Sequence, residues 1–586
     1  MADSKKKFNY SLLWRVIQLS IPYKKLFYWT LVLAVIQAPL GILRPHLINV
    51  MVDNHVMKDE LGGLGPLVFW YMVVLLATVW LRYIFILWTN TLGQSIIRDL
   101  RTRVFNHIMD LRMAYFDKTP IGTSTTRTIN DIESINEVFS EGVITILADI
   151  LGLIAVLIIM FVVSWKLSLI CLTTLPFLLY ASYLFKEKVR VSFQQVRTHI
   201  ARMNAFLQER ISGMRIIQIF NAEKQEQEAF RKINREYTQA NIDGIFYYAV
   251  FFPVVELISA ASLALMVWWG SRGVLEGEVT LGALVAFPIY LTMLFRPIRF
   301  MADKFNTLQM GLVAAERVFG VLDNQSKIKN EGSLVPQRLQ GDLVFDKVRF
   351  SYDGEQEVLK GISFHVPAHS TLAIVGSTGS GKTTLISVLN RLYDIQGGEI
   401  RIDGKNINEY ELVALRRRIG VVLQDVFLFG GTVLENITFR QSGIPSETVI
   451  RAARQIGAHA FIEKLPGGYD FVVTERGSNL SMGQRQLISF IRALVFDPDI
   501  LVLDEATSSI DPETESVIQY AIEKLIEKRT SIIIAHRLST IRHADQVIVM
   551  DQGQIKEIGT HEELLDKPDG WYRKLHDYQF AKMAEL

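Results

Sequence analysis

Hydrophobic residues are distributed unevenly along the chain. Six stretches in the first ~300 residues are apolar enough to cross a bilayer: 26–48, 67–88, 143–163, 167–185, 245–269 and 281–300. Each is about 20 residues, the length of helix that spans a ~30 Å hydrocarbon core. Pro39 and Pro253 fall inside two of them, which a membrane helix tolerates. Ahead of the first, Ser11–Tyr23 has an amphipathic pattern ending at Pro22, which predicts a helix lying along the membrane surface.

The gaps between these stretches alternate in length. Those after the first, third and fifth are short, and their only lysines and arginines are Lys58, Lys166 and Arg272. Those after the second and fourth, 94–142 and 186–244, are long, keep a helical period and show few turn signals. They predict membrane helices that continue far out of the bilayer and fold back, at Tyr115–Gly122 and near Phe220–Glu223. Lysine and arginine concentrate in them, from Arg98 to Arg127 and from Lys186 to Arg235. The positive-inside rule then puts both long hairpins, both termini and the second half of the chain in the cytoplasm. Arg82, Asp149 and Glu256 interrupt the apolar stretches and are expected to face the bundle interior or water, because a charge in lipid is costly.

After a polar segment at Val318–Gln340 the pattern changes. Short apolar, β-branched runs appear at Leu343–Phe345, Val348–Tyr352, Thr371–Val375, Ile419–Leu423, Ile500–Leu503 and Ser531–Ile534, alternating with helical segments. This predicts an α/β domain around a parallel sheet. Composition agrees with the division: 49% hydrophobic residues and a mean hydropathy of +0.23 are high for a water-soluble enzyme. The net charge of +2 gives no case for a nucleic-acid partner. The single cysteine, Cys171, excludes an internal disulfide and a cysteine-cluster metal site. The basic Met1–Lys7 segment is not followed closely by an apolar run with a cleavage site, so no cleaved signal peptide is expected.

The sharpest chemistry lies in Gly376-Ser377-Thr378-Gly379-Ser380-Gly381-Lys382-Thr383, which fits G-x-x-x-x-G-K-[ST]. Glycines let backbone N–H groups turn inward around phosphate oxygens, Lys382 supplies positive charge, and the Thr383 hydroxyl is suited to Mg²⁺. A strand before the loop and a helix after it supply the required context, since the helix N-terminus favours an anion. Ile500–Leu503 ends in Asp504-Glu505, where Asp504 is placed to hold the water shell of Mg²⁺ and Glu505 to orient an attacking water. Gln424 and His536 each follow a strand and are candidates for Mg²⁺ or water and for the γ-phosphate; Tyr352 is a candidate platform for adenine.

Leu480-Ser481-Met482-Gly483-Gln484 resembles Leu-Ser-Gly-Gly-Gln, the signature of ATP-binding cassette transporters. The resemblance covers essentially the whole chain, with the motifs in family order: Tyr352, Gly376–Thr383, Gln424, Thr474–Gly477, Leu480–Gln484, Asp504-Glu505, Ser508–Asp511 and His536. It is similar to one exporter-type half-transporter. That implies an all-α domain of six transmembrane helices with long cytoplasmic extensions (1–317), a linker (318–340) and an α/β P-loop nucleotide-binding domain (341–586). It further implies that Tyr352 stacks on adenine and that Gly376 to Thr384 hold the phosphates of ATP. Thr383, Gln424 and Asp504 would hold Mg²⁺, with Glu505 as base and His536 as γ-phosphate contact. Ser481, Gly483 and Gln484 would meet ATP held by a second half-transporter, and the two hairpin turns would couple ATP use to the membrane helices. The signature departs from the family at Met482, where glycine is usual: a methionine side chain stands beside the phosphate contact and glycine's backbone freedom is lost, so that site is expected to be the weaker one. With Glu505 and His536 intact, this favours a heterodimer over a homodimer. The implied activity is ATP-driven export of amphipathic small molecules, drugs or lipids across a bacterial cytoplasmic membrane. An ATP-gated channel or regulator and a homodimeric lipid flippase are the alternatives.

Overall fold

The computed structural model describes residues 9–59, 61–504, 512–535 and 541–584. The chain divides into two compact units, Met1–Met109 with Ile121–Gln325, and Asp110–Pro120 with Ser326–Leu586.

In the first unit α1 (Tyr10–Gln18) begins at Asn9, whose side chain accepts from the backbone N–H of Leu12. Val16 is buried, while Tyr10 and Trp14 stay exposed. The amphipathic helix expected over 11–23 is interrupted: it stops at Gln18, and Ile21–Tyr23 forms a separate single turn. Pro22 accounts for the break, since it has no N–H to donate back to the preceding turn and suits the first turn of a new helical segment.

Six helical runs among the described residues are long and apolar enough to span a membrane: Ile21–Val56, Leu64–Met109, Ile121–Val163, Trp165–Ser212, Glu223–Leu275 and Leu281–Leu322. They contain α2 (Lys24–Met51), α3 (Leu64–Met109), α7 (Ile144–Val163), α9 (Leu175–Ser212), α11 (Glu223–Leu275) and α12 (Leu281–Leu322). Between α3 and α7 lie α4 (Met113–Lys118), α5 (Ile121–Thr128) and α6 (Asn130–Glu137); α8 (Trp165–Leu172) precedes α9, and α10 (Met214–Ile219) separates α9 from α11. The long gaps are therefore helical, as their periodicity required. At ~1.5 Å per residue the 53-residue α11 is about 80 Å long, far more than a hydrocarbon core, so much of it stands outside the bilayer.

One apolar cluster joins Val16, Leu92, Ile96, Ile132, Ile135 and Leu312; another joins Met160, Leu167, Cys171, Val255, Phe287 and Tyr290. The outward faces keep large apolar side chains such as Leu76, Trp80, Ile158 and Leu257 exposed, as a lipid-facing surface requires. Asp149 on α7 is paired with Lys304 on α12, and each side chain is about a quarter exposed. Arg82 and Glu256 lie exposed on this unit. Lys304→Ala leaves the Asp149 carboxylate without its cation and is expected to lower stability by about 1–3 kcal/mol. The midpoint of thermal unfolding in detergent measures this, and adding Asp149→Asn should recover part of the loss.

The second unit holds two larger sheets. An antiparallel one has the order β2-β1-β4-β5, from β1 (Leu343–Phe350), β2 (Leu359–Val366), β4 (Gly397–Ile402) and β5 (Lys405–Asn406). The two runs expected at 343–345 and 348–352 form one strand, β1. It bulges at Lys347, whose φ is +49° and whose N–H donates to Ser363 Oγ at 2.8 Å. The main sheet has the order β12-β11-β3-β10-β9-β6, from β3 (Thr371–Gly376), β6 (Ile419–Val422), β9 (Ile500–Asp504), β10 (Thr530–Ile534), β11 (Gln546–Asp551) and β12 (Gln554–Gly559). It is parallel except at β12, an antiparallel edge. The antiparallel sheet, β11 and β12 were not foreseen from sequence. A two-stranded ribbon, β7 (Gly431–Thr432) with β8 (Val472–Val473), completes the pairing.

Alternate residues of the main sheet feed two different cores. Ala373, Val375, Leu501, Leu503 and Ile533 pack on one side with Leu487, Ile488 and Phe490 of the helix Met482–Val495. Leu372, Ile374, Ile500, Val502 and Ile532 pack on the other with Leu385, Ile386 and Leu389 of the helix Lys382–Leu389. Because successive strand side chains point to opposite faces, the two helices lie on opposite sides of the sheet.

Candidate nucleotide-binding site

Strand β3 is flanked by β10 and β11 and delivers the chain to Gly376 at its carboxyl end. There the neighbouring strand comes very close. A Cβ on Gly376 would lie 2.1 Å from the backbone oxygen of Met550, so only glycine fits. Gly379 and Gly381 have φ of +82° and +102°, in the left-handed region, and Gly381 is the residue from which the helix Lys382–Leu389 starts. The loop is also tied to β11 and the turn after it. Ser377 Oγ donates to Asp551 at 3.1 Å, and the Gly553 N–H donates to the Ser380 carbonyl at 3.1 Å. Thr378, Gly379 and Thr383 remain exposed on its mouth.

Lys382 is only 8% exposed. Its ammonium donates to the carbonyls of Gly376 and Ser377, both at 2.9 Å, and lies 3.5 Å from Ser380 Oγ. Burial lowers its pKa, and the charge of Asp504 opposes that shift. Asp504 is buried at the carboxyl end of β9. A buried cation inside a ring of backbone, at the N-terminus of a helix, is matched to an anion with several oxygens, and a polyphosphate has that chemistry. The neighbouring carboxylate and the exposed Thr383 hydroxyl are hard oxygen donors of the kind Mg²⁺ prefers.

Tyr352 lies just beyond β1 and is 45% exposed. Its hydroxyl is 3.1 Å from Thr384 Oγ1 in the helix that follows the loop, so one hydrogen bond links the aromatic candidate to the phosphate-loop segment. Its ring packs edge-on against Phe350 and Tyr393, with centroids 4.8 and 5.1 Å apart. Tyr393 had no sequence signal of its own. The hydrogen bond from the Gln396 N–H to the Arg349 carbonyl brings it beside Tyr352, and only the register of β1 against β4 reveals that.

The signature segment sits elsewhere in the unit. Ser481 caps the helix Met482–Val495: its hydroxyl accepts from the Gln484 N–H at 3.2 Å, and the Gln484 side chain accepts from the Ser481 N–H at 3.0 Å. Gly483 is buried in its first turn. Met482 is the first helical residue and is not among the left-handed residues of the chain. The lost backbone freedom is therefore not needed at this position, and of the two expected consequences only the added side chain applies. Met482 lines a cavity of about 350 Å³ together with Gln424, Phe427, Arg476 and Gln486. Gln424 is thus brought to the signature segment, just past the end of β6. Glu505, His536 and Ser508–Asp511 lie outside the described residues.

Residues 27–298 match the family described as the ABC transporter transmembrane region, and residues 359–508 match the family described as ABC transporter. The chain is 39% identical over 586 residues, 99% of its length and 96% of the relative's, to the uncharacterized ABC transporter ATP-binding protein YknV of Bacillus subtilis (strain 168). It is 37% identical to an ATP-dependent lipid A-core flippase of Syntrophus aciditrophicus (strain SB), over 84% of this chain and 82% of that one. It is 36% identical to the probable multidrug resistance ABC transporter ATP-binding/permease protein YheH of Bacillus subtilis (strain 168), over 89% and 78%. With six membrane-length helices and a phosphate-loop α/β unit on one polypeptide, the chain belongs to the ABC transporter family and is an ATP-hydrolysing, multi-pass membrane transporter of the exporter type.

Proposed function

We propose that this chain is one half of a heterodimeric exporter that uses ATP to move amphipathic small molecules, drugs or lipids across a bacterial cytoplasmic membrane. One observation carries the dimeric part. The phosphate-loop helix and the signature helix pack on opposite faces of one sheet. A site needing both is then completed by a second chain. The relatives named for multidrug resistance and lipid A-core flipping support the substrate class. The lysine and arginine excess in the long hairpins supports cytoplasmic placement of the nucleotide unit and both termini.

In this reading Tyr352 offers its exposed ring to adenine, and Gly376 to Thr384 hold the phosphates through backbone N–H groups and the Lys382 ammonium. Thr383, Gln424 and Asp504 hold Mg²⁺. Mg²⁺ held by these residues would supply positive charge to offset the charge that develops on the transferring phosphate. Glu505 orients the attacking water, and His536 holds the γ-phosphate end. Ser481, Gly483 and Gln484 face ATP on the partner's loop. Met482 places a flexible thioether side chain where the family usually has none, which makes that second site the weaker one. The turn near Phe220–Glu223 exposes Ile216, Ile219 and Phe220, an apolar surface suited to a docking element that reports nucleotide state to the membrane helices.

Purification of this chain alone tests the heterodimer. The expected result is weak self-association and ATP turnover at least about tenfold below that of the chain co-purified with its partner. A stable dimer of this chain hydrolysing ATP at the full rate would exclude that reading and leave a homodimer.

A further inference from the structure

The first hairpin's turn, Asp110–Pro120, belongs to the nucleotide unit. Its start is pinned at several points. The Arg112 Nε–H donates to the Lys327 carbonyl at 2.5 Å, and the Lys327 ammonium donates to Asp110 at 3.1 Å. The Arg112 N–H donates to the Ser326 carbonyl at 3.0 Å, and the Arg112 guanidinium pairs with Asp394 at 3.0 Å. Its far end is held differently. The Tyr393 hydroxyl donates to Asp117 at 2.5 Å, and the Tyr393 ring stands at 88° to the ring of Tyr352. Phe350, buried at 2% exposure, closes the group with its centroid 5.5 Å from Tyr393. One aromatic side chain therefore touches both the candidate base platform and the turn.

The geometry points to Tyr393 as a positioning residue that transmits base binding at Tyr352 to the turn around Asp117. This rests on the reading of Tyr352 as the adenine platform. The physical reason is packing. Three rings in mutual edge-to-face contact, one of them the buried Phe350, do not deform smoothly, so a base that fixes the plane of Tyr352 restricts Tyr393. The Tyr393 hydroxyl passes that restriction to a charged acceptor, which is the stronger kind of hydrogen bond. The Arg112 anchors end on Ser326, Lys327 and Asp394, not on a ring of the platform. They hold the turn whether or not a base is bound, while Tyr393 holds it according to the base.

Backbone hydrogen exchange of residues 110–120 tests this in the full-length chain in nanodiscs, with its partner chain where purification shows one is required. Mg-ATP is expected to slow exchange in the turn by at least about 5-fold, the lower end of ordinary coupling between sites. Inorganic tripolyphosphate with Mg²⁺, which has no ring for Tyr352, should leave it unchanged. Tyr393→Phe keeps the rings and removes the hydroxyl, and it should abolish most of the ATP effect, as should Asp117→Ala. Asp117→Asn keeps an acceptor and should restore it, and the double variant should be no worse than either single one. Equal slowing by tripolyphosphate, or a full ATP effect in Tyr393→Phe, overturns the inference while leaving the nucleotide site standing. No ATP binding by the unaltered protein overturns the site and the inference together.

Discussion

Replacing Lys382 with alanine is expected to lower ATP turnover by about 10²–10³-fold, the loss typical of removing one preorganised charged donor from a reaction site. The structure gives the reason. The ammonium is held at two loop carbonyls, and Asp504 is the carboxylate that acts on its charge. Phosphoryl transfer is positioning plus charge stabilisation, so a fixed, largely buried cation has a large share of the work. Alanine also leaves the carbonyls of Gly376 and Ser377 without this donor and Asp504 without its nearby cation. A modest fall in thermal stability should accompany the loss of activity. Lys382→Arg should not rescue turnover, because a planar fork does not fit a ring built for a compact ammonium. Phosphate release and the thermal midpoint together measure the outcome. Turnover near the unaltered rate in Lys382→Ala would show that the loop does not hold the reacting phosphates.

The second large effect is expected from Glu505→Gln. Glutamine keeps the size of the side chain and cannot take a proton. Glu505 follows Asp504 directly in sequence, and β9 ends with Asp504 at the same end of the sheet at which β3 opens into the phosphate loop. Ligands of α/β sheets sit at that end, and a water-orienting base is needed there. Loss of a general base lowers the rate by about 10²–10⁴-fold. In reconstituted vesicles, substrate accumulation against its gradient should stop, while ATP still binds. If downhill flux continues at the unaltered rate when hydrolysis has stopped, the chain gates a channel instead of driving a pump. If uphill accumulation continues, Glu505 is not the base.

Some of this was readable locally. The phosphate loop was legible because its glycines, lysine and flanking strand are contiguous, and each has a separate physical job. The membrane-length helices were legible because a bilayer demands an apolar length that no soluble element needs. The bulge at Lys347 was not legible: a residue with φ of +49° splits an apolar run on paper, while Ser363 and the partner strands keep it one strand in space. At Met482 the sequence shows both an added side chain and a missing glycine, but only the structure shows that the start of a capped helix needs no glycine backbone.

The chain's own residues thus determined the two kinds of domain, the order of the motifs and the chemistry of the phosphate loop. These depend on neighbours in sequence and on hydrophobic period. Tertiary structure decided which distant residues meet. It separated the loop helix from the signature helix across one sheet, paired Asp149 with Lys304, and set Tyr393 between Tyr352 and Asp117. Strand register and helix packing fix those meetings. Neither leaves a trace in the spacing of residues separated by tens or hundreds of positions.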